Sequence, residues 1–178
     1  MNTGGKMVLM VVAPRNFRDE ELLEPRKVLE DAGMKVTVAS KGVKEASGML
    51  GARVSADLEV AMADAGDYDA IIFVGGGGAA VYFNDQAVLG LAKESLALGK
   101  VTAAICIAPS ILANAGLLQG RKATSFPSES GNLKSKGAQY LSQNVVEDGL
   151  IVTAVGPQAA REFGRKILEK LSAGFIKT

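Results

Sequence analysis

The sequence predicts an α/β protein: a doubly wound, mostly parallel sheet with helices on both faces, stacked as three layers. Three observations carry this. Short, continuous apolar runs recur along the chain, as strands buried on both faces require. Between them lie segments with apolar residues at helical spacing. Glycines punctuate the ends of these segments, and the first forty residues already contain one complete β-α-β unit, which implies a right-handed parallel crossover.

The first run is Lys6 to Ala13, KMVLMVVA. A polar loop from Pro14 to Arg18 follows. Asp19 is the expected N-cap of the next helix, with Glu20 and Glu21 in its first turn, where the helix dipole favours acids. Leu22, Leu29 and Ala32 form its apolar stripe and Gly33 stops it. Lys35 to Ser40 is the second strand. Lys41 to Ala56, rich in Gly and Ser, reads as a small excursion at the sheet edge. Asp69 to Val74 is a buried strand that breaks into four glycines, Gly75 to Gly78. Asn84 or Asp85 caps a helix whose inner face is Val88, Leu91, Ala92 and Ser95, closed by Gly99. Val101 to Ile105 is a strand, Pro109 to Leu118 a helix and Lys122 to Ser125 a short strand. Asn144 to Val155 reads as a hairpin turning at Glu147-Asp148-Gly149. Ala160, Phe163, Ile167, Leu168 and Leu171 mark a C-terminal amphipathic helix.

Composition removes several function classes. The length of 178 residues suits one domain across 1–178. A net charge of +1 and 5% aromatic residues give neither the basic footprint nor the stacking platforms of a nucleic-acid binder. No apolar stretch approaches the ~20 residues of a membrane span. Met1 to Met10 carries one lysine and no small-residue cleavage site, so it reads as the start of the first strand and not a secretory signal. One cysteine allows no internal disulfide, and the expected compartment is the cytoplasm. The chain contains no histidine. Cys-His dyads, Ser-His-Asp triads and His-ligated metals are therefore not available from this chain, and no metal or cofactor is expected.

In open parallel sheets, ligands bind beyond the carboxyl ends of the strands, where the strand order reverses. With a local strand order 2-1-3-4, Glu21, the glycine run and Cys106 fall on neighbouring strand ends. Cys106 lies in Ala103-Ala104-Ile105-Cys106-Ile107-Ala108-Pro109. A strand-to-helix nucleophile elbow needs small residues two before and two after the nucleophile, and Ala104 and Ala108 supply them. A helix N-terminus beside the thiol would lower its pKa. The alternative is a buried cysteine acting as a small hydrophobe. The glycines either expose amides to a ligand, with the Ile107 amide as a second oxyanion donor, or only make room for a tight turn. Glu21 is either a dipole-favoured surface charge or, if tucked against Cys106, a carboxyl kept protonated by desolvation and able to shuttle protons.

The order and spacing of several segments resemble the ThiJ/PfpI (DJ-one-like) family from about Met7 to about Leu171. They are Glu21-Leu22-Leu23-Glu24-Pro25, Ala32 to Ala39, Gly75-Gly76, Ala104-Ile105-Cys106, Gly120 to Ser125, Glu147 to Thr153 and Gly156-Pro157. The resemblance implies a flavodoxin-like sandwich, Cys106 as the elbow cysteine and Glu21 as the acid beside its thiol. It places Gly75 or Gly76, with Ile107, at the oxyanion hole, and Phe126, Pro127, Gly156 and Pro157 around the pocket. It also implies a homodimer or larger ring. The sequence departs from the family at four places. Ile107 replaces the histidine after the cysteine in the protease-like branch, and Ala80 stands at the position nearest that branch's intersubunit glutamate. Phe126 replaces the histidine before a proline in the deglycase branch, and Val155 replaces an arginine.

Three activities follow as expectations. The first is a cofactor-independent glyoxalase or deglycase acting on small reactive aldehydes, with Cys106 as nucleophile and Glu21 as acid and base. The second is a redox sensor or chaperone-like module whose partner is an oxidant acting at Cys106. The third is a cysteine peptidase or amidase, which the missing histidine opposes. A family member without chemistry is the remaining possibility.

Overall fold

The computed structural model describes residues 4–173, so Met1 to Thr3 at the start of the expected first strand lie outside the described residues. Seven strands form the main sheet. Five follow the apolar runs read above: β1 (Met7–Val11), β3 (Lys35–Ser40), β7 (Ala70–Phe73), β8 (Val101–Ile105) and β12 (Ile151–Ala154). The others are the two-residue edge strand β6 (Leu58–Glu59), not anticipated from the sequence, and β11 (Val145–Asp148). Their order is β11-β12-β8-β7-β1-β3-β6. All adjacent pairs are parallel except β11 with β12, the hairpin that Gly149 turns at φ 58°. The strand order reverses between β1 and β7, as expected.

Alternation along the strands divides the core into two. Leu9, Val11, Ile71, Phe73 and Ala104 face one layer of helices, α2 (Gln86–Ala97) and α3 (Pro109–Asn114), through Val88, Leu91, Ile111 and Leu112. Val8, Met10, Ile72, Ala103 and Ile105 face α1 (Asp19–Asp31) and α5 (Ala160–Ala173), through Leu22, Leu29, Phe163 and Ile167. The two helices of this second layer approach closely: a Cβ on Gly164 would stand 2.8 Å from the Pro25 Cα.

Several expectations need correction. The loop after β1 contains a short strand, β2 (Arg15–Phe17). It joins β4 (Glu45–Gly48) and β5 (Arg53–Ser55) in a separate small sheet, which is the excursion expected near residues 41–56. Asp19 does not cap α1; Arg18 holds the cap position without a side-chain bond. The buried Asp19 carboxylate instead accepts from the backbone of Leu50 at 3.0 Å and Ala52 at 2.8 Å. Two amides that would otherwise lack a partner in the β4–β5 turn outweigh a capping bond. Asp85, by contrast, caps α2 by accepting from Ala87 and Val88. The helix after Cys106 stops at Asn114, because Gly116 at φ 78° returns its amide to Ala113 and the Leu117 amide bonds Leu112. The strand expected at 122–125 shrinks to β9 (Lys122–Ala123), paired with β10 (Gln139–Tyr140) outside the main sheet. Tyr82, next to the exposed Val81, is core: its hydroxyl donates to the Val12 carbonyl at 2.7 Å. α4 (Ser130–Ser135) completes the helices.

Candidate active site

At the end of β8 the chain reverses within a few residues. Cys106 has φ 65°, a left-handed conformation that a side chain rarely takes. Its surroundings hold it there: the Cys106 amide donates to Ala154 at 2.9 Å, and its carbonyl accepts from Phe126 at 2.7 Å. Ala104 and Ala108, the small residues on either side, are fully buried. This is the elbow geometry that the spacing predicted. The thiol is nearly buried, with the residue 8% exposed.

The glycine turn after β7 meets it. A Cβ on Gly75 would stand 2.5 Å from the Cys106 Cβ, 2.5 Å from the Ile105 carbonyl oxygen and 2.8 Å from Glu21 Oε1. Only glycine lets three chain segments converge at that point. Gly76 takes φ 96° and its amide, with that of Ile107, interacts with the cysteine sulfur. Of the two glycines expected at the oxyanion hole, Gly76 is the one whose amide meets the sulfur, and Gly75 is the one at which the chain segments crowd together.

Glu21 arrives from the first turn of α1 and is completely buried. Neither carboxyl oxygen has a well-formed hydrogen bond among the described residues. The thiol of Cys106 is close enough to act on it electrostatically. Burial raises the Glu21 pKa from 4.5 to about 8, against smaller opposite effects of the Cys106 thiol and the Arg18 charge. The carboxyl therefore holds its proton at neutral pH. The thiol departs from the expectation of a lowered pKa. Burial, and then the Glu21 charge, push it up to about 12, more than the Gly76 and Ile107 amides pull it down. The helix that was to stabilise a thiolate has six residues and begins three residues later. While Glu21 keeps its proton, the repulsion between the two negative charges is absent.

This coupling makes stability depend on pH. With a folded-state pKa of about 8 against 4.5, the folded protein binds the Glu21 proton more tightly than the unfolded chain does. Stability therefore falls as pH rises through that interval and levels off above it. Urea unfolding of the wild type and Glu21→Gln at pH 5 and pH 8.5 should show the glutamine variant gaining on the order of 4 kcal/mol relative to the wild type at the higher pH. Equal gaps at both pH values would mean that Glu21 is not held neutral by burial.

Above the elbow opens a cleft of about 260 Å³ lined by Arg18, Met49, Gly76, Gly77, Cys106, Ile107, Phe126, Ser128 and Pro157. Phe126 and Pro157 thus line the cleft as the resemblance implied. Pro127 and Gly156 do not, although a Cβ on Gly156 would stand 3.7 Å from a carbon of the Phe126 ring. Arg18, Met49 and Ser128 were not anticipated. Met49 comes from the small sheet that Asp19 anchors, a long-range placement without a local sequence signal. No cluster of His, Cys, Asp or Glu among the described residues has a metal-binding arrangement.

A mostly parallel sandwich with a left-handed cysteine at a strand end, a buried carboxyl beside it and two amides at its sulfur defines a class of α/β proteins with a strand-end cysteine elbow. The chain belongs to the DJ-1/PfpI family, whose model matches residues 6–170. A ThiJ/PfpI domain protein from Brachyspira murdochii superposes with a TM-score of 0.93 at 35% identity, covering 96% of this chain and 98% of that one. DJ-1beta of Drosophila melanogaster gives 0.85 at 32% identity, over 94% and 90% of the two chains. A deglycase of Pyrococcus horikoshii is 31% identical over 93% of this chain and 99% of its own.

Proposed function

We propose that this protein is a cofactor-independent enzyme of the glyoxalase or deglycase type, acting on small reactive aldehydes through Cys106 and Glu21. The observation that carries the reading is the buried Glu21 carboxyl set against an elbow cysteine whose sulfur meets two backbone amides. Relatives named as deglycases support it.

The steps balance without an outside oxidant. With a 2-oxoaldehyde, the Cys106 S–H bond breaks as the sulfur adds to the aldehyde carbon and the thiol proton passes to solvent, while the carbonyl π electrons move to oxygen and Glu21 supplies the proton that gives a hemithioacetal. The amides of Gly76 and Ile107 face the developing oxyanion. Glu21, now a carboxylate, takes the hydrogen on that carbon as a proton and returns it to the adjacent carbon, while the hydroxyl proton passes to the neighbouring oxygen; this yields a thioester of a 2-hydroxy acid, and a solvent proton restores the Glu21 carboxyl. Water hydrolyses the thioester and releases acid and thiol. One carbon is oxidised as its neighbour is reduced, so the reaction needs no external electron carrier.

The redox-sensor reading has less support, because burial pushes the thiol away from the thiolate that oxidises readily. A peptidase lacks a histidine to activate its nucleophile. No helix among the described residues is long and apolar enough to cross a membrane. Action in the cytoplasm as a homo-oligomer is part of the proposal, with exposed Leu50 and Val81 available for an interface.

The deciding experiment follows methylglyoxal consumption and lactate formation by the wild type and Cys106→Ser. Turnover by the wild type with loss to background in the serine variant supports the reading. Equal turnover by the two, or a wild type that turns over neither methylglyoxal nor any other 2-oxoaldehyde, rejects it.

A further inference from the structure

Among the described residues, one charged residue lines the cleft over Cys106. Arg18 stands on its wall among the apolar Met49, Ile107, Phe126 and Pro157. Two contacts fix it. Its amide donates to the Gly75 carbonyl at 2.9 Å, which ties the residue to the turn beneath the cysteine. Its guanidinium is forked onto Glu20, with Nε to Oε2 at 2.8 Å and a terminal nitrogen to Oε1 at 3.1 Å. The fork uses two of five N–H donors. The others have no partner among the described residues. Glu20, its one counter-charge, does not line the cleft. The charge nevertheless reaches the reacting groups, acting on both Glu21 and Cys106.

A neutral aldehyde would use none of this. The amides of Gly76 and Ile107 serve the carbonyl end of a bound molecule, and an arginine held at fixed geometry suits a planar anion. We propose that the site is built for aldehydes that carry a carboxylate, with Arg18 holding the anionic end while the carbonyl lies over Cys106. Joined to the reading above, on which the choice of reaction rests, this selects 2-oxoaldehydes with a terminal carboxylate, of which 4,5-dioxopentanoate is the test case. Arg18 is then a specificity-determining residue and Glu20 its positioning partner, which also tempers its charge.

Alkylation of Cys106 tests the anionic preference without any turnover. Iodoacetate and iodoacetamide form the same kind of bond: sulfur attacks the methylene carbon, iodide leaves and the thiol proton goes to solvent. Only iodoacetate carries a carboxylate. Their rate ratio cancels any change in thiol ionisation between variants. Arg18→Gln should lower the iodoacetate-to-iodoacetamide ratio about tenfold at low salt. Arg18→Lys should keep most of it, and Glu20→Gln, which leaves the cation unneutralised, should raise it. A ratio within about twofold of wild type in Arg18→Gln, or a fall in Glu20→Gln, overturns the proposal. A second arm compares kcat/KM for 4,5-dioxopentanoate and methylglyoxal, where the preference for the acid should shrink in Arg18→Gln. If neither compound is turned over by the wild type, the aldehyde reaction fails, and the alkylation ratio alone decides the role of Arg18.

Discussion

Glu21→Gln will lower turnover of methylglyoxal by about 10²–10⁴-fold while leaving the fold intact, because a positioned acid–base group contributes about that much. Glutamine keeps the size and polarity of the side chain but cannot give or take a proton. The site offers no substitute: there is no histidine in the chain, and among the described residues no acidic side chain lines the cleft. The loss should appear mainly in kcat, since Glu21 is buried beneath the thiol and does not line the cleft. Glu21→Asp should also be impaired, because the shorter side chain withdraws the carboxyl from the sulfur. The measurement is the kinetics of both variants, with thermal melts to confirm folding. Turnover within a few-fold of wild type in Glu21→Gln would remove the carboxyl from the mechanism.

Gly75→Ala is expected to be the most disruptive change of a single methyl group at the site. The added Cβ would enter space already bounded by the Cys106 Cβ, the Ile105 carbonyl and the Glu21 carboxyl. Two of those three neighbours are backbone or Cβ atoms that cannot rotate away. Overpacking of this kind costs about 1–3 kcal/mol, and the relaxation needed would separate thiol from carboxyl. Stability and activity should therefore fall together. Gly90→Ala is the informative contrast. Gly90 lies within α2 and its Cβ would meet nothing within 4 Å. That variant should be more stable by about 0.5–1 kcal/mol through helix propensity alone. Denaturant unfolding of both, with activity measured on the same preparations, checks the pair. A Gly75→Ala protein as stable as wild type would mean that the three segments do not converge as tightly as described.

Most of the fold was legible because its signals are local. The apolar runs of β1, β7 and β8 and the stripe of α5 are patterns within one window of sequence, and burial on both faces of the sheet explains them. The elbow was legible for the same reason: Ala104 and Ala108 flank Cys106 directly. Glu21 could be joined to Cys106 only through topology, since 85 residues separate them and the strand order alone makes them neighbours. Other features depend on where long or flexible groups end up. Asp19 has the sequence position of a cap, yet its carboxylate crosses to the turn at Leu50 and Ala52. Arg18 reads as a loop residue, and only the fold places it on the wall of the cleft. The direction of the thiol's pKa depends on burial and on the Glu21 charge, neither of which is present in a seven-residue motif.

The left-handed backbone at Cys106 has an evolutionary consequence. Any other residue with a Cβ at that position would bear the same conformational cost without the chemistry, while glycine would relieve it. Selection for stability alone would thus drift the position toward glycine. The cysteine persists there only while something in the life of the cell rewards a thiol at that spot, so its retention among descendants of this chain would be a record of use.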